Sequence, residues 1–276
     1  MTAPRQVADA PLAHLRWDGA GAAGSPPWLL LHGIGGDRGG WDAVGAALAA
    51  GGRTVLAVDF PGYGLTPTLQ AYDLAGLADA VRRLLDHLAV PAAVLVGHSM
   101  GGMVAQEVAA RWPERVAGLV LACTSPAFGK ADGDWQRGFL AARFAPLDAG
   151  VGMAGLAVQL VPAMVGPAAA PGRVAAAQGL MAGVPEATYR AAVRALLPFD
   201  RRAALPAIAV PTLVITGEHD RTAPPEVARR MAERIPGAAL AIVPGAGHLL
   251  PIEQPQAFAD AVAALPVALG AGRTVS

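Results

Sequence analysis

Cysteine occurs once in 276 residues, at Cys123, so the chain cannot form an internal disulfide. A lone thiol fits a reducing compartment, and a cytoplasmic location is the expectation. Cys123 closes the apolar run Val116 to Cys123 and reads as a buried strand residue, not a reactive thiol. Neither sign of charge is in excess, since Lys plus Arg and Asp plus Glu both number 21. No electrostatic argument therefore favours nucleic acid or an acidic membrane surface as a partner. The stretch Met1 to Trp17 lacks an apolar core behind a basic start, so no secretory signal is expected. An unbroken membrane span is missing too. Ala149 to Gly172 is uncharged and long enough to be scored as one. Pro162, Pro167, Pro171 and four glycines between Gly150 and Gly166 break it, and it reads as interrupted amphipathic helices.

Serine is scarce as well: Ser25, Ser99, Ser125 and Ser276 are all there are. One of them sits in the most informative stretch of the chain, Val94-Leu95-Val96-Gly97-His98-Ser99-Met100-Gly101-Gly102. An aliphatic strand runs into a glycine-rich turn and then a helical segment, Met103 to Arg111. Gly97 to Gly101 fits G-x-S-x-G, the sharp strand-to-helix turn that holds a serine hydroxyl out at the top of a sheet. Side chains two before and two after the serine would strike the adjoining strand and helix, which is why glycine is needed there. Met100 would offer its backbone N–H to an oxyanion at a helix N-terminus.

Around this turn the chain alternates. Residues 5 to 18 predict an antiparallel edge hairpin. Trp28 to His32 is a continuous apolar run, as a strand buried on both faces should be. A helix is expected from Trp41 to Ala50, a strand from Thr54 to Asp59, and a turn at Phe60-Pro61-Gly62-Tyr63-Gly64. Leu74, Leu77, Val81, Leu84, Leu85 and Leu88 follow the three-four spacing of an amphipathic helix. After Ser125-Pro126 no convincing strand appears until about residue 203, and the block reads as several short helices. Alternation resumes with the strand through Thr212 to Thr216, a helix from Pro225 to Arg234, the strand Ala239 to Val243 and a helix from about Pro255 to Leu265. This pattern argues for a mostly parallel sheet covered on both faces, residues 1–125 and 204–276, interrupted by a helical insertion at 126–203.

A serine hydroxyl is a weak nucleophile and needs an imidazole to take its proton and a carboxylate to orient that imidazole. In the fold family that such an elbow resembles, the acid and then the histidine follow the serine in the chain. Only His219 and His248 lie beyond the insertion, and His248 occupies the loop Gly245-Ala246-Gly247-His248 directly after a strand. Gly217-Glu218-His219-Asp220 supplies two carboxylates; Asp220 is taken as the acid, with Glu218 the alternative. His219 then shapes the acid's loop, His14 and His87 read as surface residues, and His98 as the variable position of the elbow. His32 is expected to make hydrogen bonds beneath the site. The turn His32-Gly33-Ile34-Gly35 can set the N–H of Ile34 opposite that of Met100, making a two-donor oxyanion hole.

Five motifs now stand in order: His32-Gly33-Ile34-Gly35, Asp59 to Gly64, Gly97 to Gly102, Gly217 to Asp220 and Gly247-His248. With them the sequence resembles the α/β-hydrolase fold family over nearly its whole length. Within that family it is most similar to capped bacterial serine esterases and 3-oxoadipate enol-lactonases, through Pro251 to Pro255 and the segment around Trp135. One departure is Thr66, where many relatives carry serine, and little consequence is expected. The resemblance implies an eight-stranded, mostly parallel sheet with a helical cap after strand six, and no cofactor or metal. Relatives that use an aspartate nucleophile, the haloalkane dehalogenases and epoxide hydrolases, are excluded by Ser99.

What remains is a serine hydrolase of carboxylic esters or lactones acting through an acyl-enzyme. Enol-lactonase or carbon–carbon hydrolase chemistry is the alternative, and a small-molecule receptor on the same scaffold, with slow turnover, is a reading of another class. Trp135, Phe139, Phe144, Met153, Leu156, Met164 and Met181 are candidates for an apolar substrate pocket, although most such side chains simply pack together. Each buried methylene contributes about 0.8 kcal/mol, so neutral acyl groups up to about butyrate or hexanoate are the expected substrates. Arg137, Arg143 and Arg173 are the anion candidates of the insertion. A lactone carrying a carboxylate would require one of them to face inward. The partner is a small-molecule ester or lactone, with no membrane span, and the oligomeric state is not legible.

Overall fold

The computed structural model describes residues 3–21, 24–130 and 133–267. The hairpin expected over residues 5 to 18 is present as β1 (Arg5–Val7) and β2 (His14–Trp17). The alternating part follows with β3 (Trp28–Leu31), α1 (Asp42–Ala50), β4 (Val55–Val58), α2 (Leu74–His87), β5 (Ala93–His98), α3 (Met100–Arg111) and β6 (Val116–Ala122). Four helices are then inserted: α4 (Asp134–Asp148), α5 (Gly152–Met164), α6 (Pro171–Ala182) and α7 (Glu186–Leu196). The chain returns to the sheet with β7 (Thr212–Gly217), α8 (Pro225–Arg234), β8 (Ala239–Val243), α9 (Leu250–Glu253) and α10 (Pro255–Ala263).

The eight strands form one sheet in the order β1-β2-β4-β3-β5-β6-β7-β8, parallel from β4 to β8 and antiparallel at the hairpin. Every residue of β3, β4, β5 and β7 is buried, which is what their unbroken apolar sequences require. Each face of the sheet carries its own hydrophobic cluster, one packed by α2, α3 and α8 together with residues of the insertion, the other by α1 and α10. From β3 the chain moves one way to β4, then crosses back past β3 to β5 on its other side. That reversal opens a crevice at the carboxyl ends of β3 and β5, the usual place for a ligand in an open α/β sheet.

Polar contacts close the insertion and tie it to the rest of the fold. Ala127 bridges Asp200 across its two ends, the Arg201 guanidinium grips the buried Glu107 carboxylate of α3 with two hydrogen bonds at 2.7 and 2.8 Å, and Thr188 Oγ1 donates to the Gly62 carbonyl at 3.0 Å. Among the described residues no helix is long and apolar enough to cross a membrane.

Two expectations are corrected. His14 is not a surface residue but is almost fully buried, its Nδ1 3.0 Å from the Leu12 carbonyl. The reason is that β2 is not the sheet's outermost strand: β1 covers one side of it and β4 the other. Cys123 is buried as expected, but β6 ends at Ala122, and Cys123 takes up a left-handed backbone with φ of 47° at the head of the following loop. Thr66 Oγ1 accepts from the Ala13 N–H and donates to the Asp59 carbonyl, both at 2.9 Å.

Candidate active site

The elbow is built as its glycines demand. Strand β5 ends at His98, α3 starts at Met100, and Ser99 between them holds φ 53° and ψ −115°, a strained conformation for a residue with a Cβ. A Cβ on Gly97 would collide with the backbone of Gly101, and one on Gly101 with the Leu31 carbonyl, so helix and strands meet too closely for any other residue. The strained turn is pinned on both sides: the Ser99 N–H donates to the Ala122 carbonyl at 2.9 Å, and Thr124 Oγ1 donates to the Ser99 carbonyl at 2.7 Å.

The loops after β7 and β8 bring two further groups to the serine. His248 Nε2 lies 3.1 Å from Ser99 Oγ, and His248 Nδ1 lies 3.0 and 2.9 Å from the two carboxylate oxygens of Asp220. Asp220 and His248 are nearly inaccessible to solvent. Burial pushes the Asp220 carboxyl upward, but the His248 ring beside it and the N–H groups of Ala223 and Thr222 outweigh that, holding its pKa below the usual value. Glu218 sits elsewhere. It is more than half exposed, accepts from the Gly245 N–H at 2.9 Å, and lies 3.5 Å from His219 at the surface. The 3.6-residue logic of helices plays no part here; the loop turns back at Gly217, so only the third residue after it reaches the imidazole.

Three groups that sequence reading underrated hold this arrangement. Glu253, buried on α9, accepts the N–H groups of Gly166, Gly247 and Leu249 at 2.7, 2.8 and 2.9 Å, bracketing His248. The Met164 carbonyl, at the end of α5, accepts from the His248 N–H at 2.7 Å. His98, read as the free position of the elbow, is buried and donates from Nε2 to the His248 carbonyl at 2.7 Å. Burial and the neighbouring His248 push its pKa down to about 3, so it stays neutral. A histidine beside a G-x-S-x-G serine is a visible signal, but its partner lies 150 residues away in sequence.

His32 does what was expected of it. Nδ1 donates to the Gly33 carbonyl at 2.8 Å while Nε2 accepts from the Phe60 N–H at 3.0 Å, which requires the neutral ring; burial lowers its pKa accordingly. The bond to Gly33 fixes the peptide plane whose other end is the Ile34 N–H. Tyr63 donates its hydroxyl to the Ile34 carbonyl at 3.1 Å, and Asp59, ion-paired with Arg38, also accepts the Arg38 N–H, anchoring the next turn. Among the described residues neither the Ile34 nor the Met100 N–H is spent on a backbone carbonyl outside the helices and strands.

Ser99, His248 and Ile34 open into a cavity of about 790 Å³ beneath the inserted helices. Trp135, Phe139, Met164 and Met181 line it, as does Arg143, together with Val161, Ala177 and Tyr189, which the sequence did not single out. Phe144 and Arg137 do not line it and are corrections. At 100° per residue, positions 135, 139 and 143 of α4 share one face, whereas 137 and 144 lie on the opposite one. There Arg137 is exposed and paired with Asp134, and Phe144 stacks beneath Arg190 and Arg194. Met153 and Leu156 are core residues, and Arg173 is exposed.

The chain matches the model of the alpha/beta hydrolase family over residues 28–261. It is 35% identical over 245 residues to a pimeloyl-[acyl-carrier protein] methyl ester esterase of Chromobacterium violaceum, covering 86% of this chain and 93% of that one. It spans only 35% of the dihydrolipoyllysine-residue acetyltransferase component of the acetoin cleaving system from Pseudomonas putida, with 44% identity over 129 residues, 46% of this chain. Among solved structures it is similar to the enol-lactonase of Burkholderia xenovorans LB400, with a TM-score of 0.78, 28% identity, and coverage of 94% of this chain and 98% of that one. On these matches, over the sheet and elbow described above, the chain belongs to the alpha/beta hydrolase family.

Proposed function

We propose that this chain is a serine hydrolase that cleaves carboxylic esters or lactones, with Ser99, His248 and Asp220 as its catalytic triad. The observation that carries the reading is the continuous line from Ser99 Oγ through both ring nitrogens of His248 to the buried Asp220 carboxylate. Ser99 Oγ attacks the acyl carbon as His248 Nε2 takes its proton, and Asp220 stabilises the resulting imidazolium. The oxyanion receives the N–H groups of Ile34 and Met100, the latter at the start of α3. His248 then gives its proton to the leaving alkoxide, and the acyl-enzyme forms. Water, deprotonated by His248, attacks the acyl carbon and restores Ser99, releasing the acid. In this scheme residues 126–203 act as a cap: the inserted helices wall the cavity and leave a small molecule as the fitting substrate.

Ser99→Ala tests the scheme. Labelling by a fluorophosphonate probe should vanish and kcat on 4-nitrophenyl butyrate should drop by roughly 10³- to 10⁶-fold, the scale of triad removal. Full labelling of the variant would refute Ser99 as nucleophile.

A further inference from the structure

A buried guanidinium offers five N–H donors and a charge, and folded proteins rarely desolvate one without an anion to meet it. Arg38 and Arg201, although less buried, each hold a carboxylate, those of Asp59 and Glu107. Arg143 does not. It is 8% exposed and lines the cavity that Ser99 opens into. Its guanidinium lies over the Phe139 ring, 3.3 Å from the centroid, and Nη1 donates to the Phe139 carbonyl at 3.2 Å. The Tyr189 hydroxyl lies against it as well. Among the described residues its buried Nε has no hydrogen-bond partner and no carboxylate is paired with the guanidinium. Aromatic stacking and one carbonyl position the fork without neutralising it.

The rest of the lining is biased in the same direction. Among the described residues of a chain with equal numbers of acidic and basic side chains, Lys130, Arg221, Arg230 and Arg234 lie around this cavity with Arg202, itself ion-paired with Asp200, against Asp37 and Glu233. Such a rim raises the local concentration of anions.

We infer that Arg143 is a carboxylate-binding residue of the cavity, so that the preferred substrate is an ester or lactone carrying a free carboxylate. This rests on the serine-hydrolase reading above and narrows it. The neutral-ester preference expected from the apolar wall then gives way, because a desolvated charge outweighs a few methylenes. The Nε side of the fork suits a carboxylate, which an ammonium would meet only as a point charge.

The test compares 4-nitrophenyl hydrogen glutarate with 4-nitrophenyl pentanoate, which match in length and differ in the terminal carboxylate. A second pair, 4-carboxyphenyl butyrate and phenyl butyrate, covers a carboxylate on the alcohol side. In the wild-type protein kcat/KM should favour the charged member of at least one pair. Arg143→Met should lower that ratio by about 100-fold, chiefly through KM, the scale of a lost charge-assisted hydrogen bond. Arg143→Lys should restore part of it. Should Arg143→Met fail to fold, glutarate should still inhibit wild-type hydrolysis of the pentanoate ester competitively, and less so in Arg143→Lys. The proposal is overturned if neither wild-type ratio exceeds one, if the ratio survives Arg143→Met, or if glutarate does not inhibit. Absence of Ser99-dependent turnover of every ester would defeat the parent reading instead, whereas turnover of the neutral esters without the selectivity defeats only the role of Arg143.

Discussion

Two carboxylates within three residues, Glu218 and Asp220, show how differently one chemical group behaves at two addresses. Asp220 is buried and divides its oxygens between the His248 ring, two backbone N–H groups and Thr216 Oγ1. Glu218 is solvated. Asparagine at 220 keeps the shape but can present an N–H where the ring's Nδ1–H needs an acceptor, which favours the wrong imidazole tautomer. Asp220→Asn should therefore lower kcat on 4-nitrophenyl butyrate by about 10⁴-fold with the fold intact by circular dichroism, while Glu218→Gln should cost less than about tenfold. The reverse ranking would mean that the proposed acid is the wrong one.

At the scale of elements, the His248 loop is held from three directions: α9 through Glu253, α5 through the Met164 carbonyl, and the elbow through His98. Glu253 matters most because both its oxygens accept, from N–H groups belonging to the insertion and to the loop itself. Glutamine has one acceptor oxygen, so its amide would face an N–H and leave buried donors unmet, at about 1–3 kcal/mol for each. Glu253→Gln should lower the urea midpoint, shift Tm downward by several degrees, and reduce kcat more than KM. A loss of stability with unaltered kcat would show that the loop places His248 without this carboxylate.

For the whole molecule, buried neutral histidines set the acid limit of stability. His98 is pushed down to about 3, and His32 and His14 are lowered too, in each case chiefly by burial. Unfolded, each returns to about 6.5, so below that pH the unfolded chain binds protons that the folded chain does not. Stability therefore rises with pH through this window and is lost on acidification, by up to about 1.4 kcal/mol per pH unit for each histidine. Urea unfolding between pH 5 and 6.5, above the range where carboxylates titrate, should show this slope, and His98→Asn should make it shallower. An unaltered slope in the variant would mean that His98 is not among the groups responsible.

Much of this architecture is written in local sequence. Unbroken apolar runs such as Trp28 to Leu31 and Val94 to Val96, bounded by turn residues, read as strands buried on both faces, and the glycines at 97 and 101 admit the elbow because any side chain there meets backbone. Positions after three strands, taken with the chain order of the family the sequence resembles, picked Ser99, Asp220 and His248, and the structure brings those three side chains together. Tertiary structure decided what depends on neighbours distant in the chain. Whether His14 was covered depended on β1 lying outside β2, and whether His98 was free depended on a carbonyl 150 residues away. Helical rotation decided which insertion side chains face the cavity, turning Arg143 inward and Arg137 and Phe144 outward, and composition carries no phase for such a rotation. Periodicity reports that a residue lies on a face; only packing decides what that face meets.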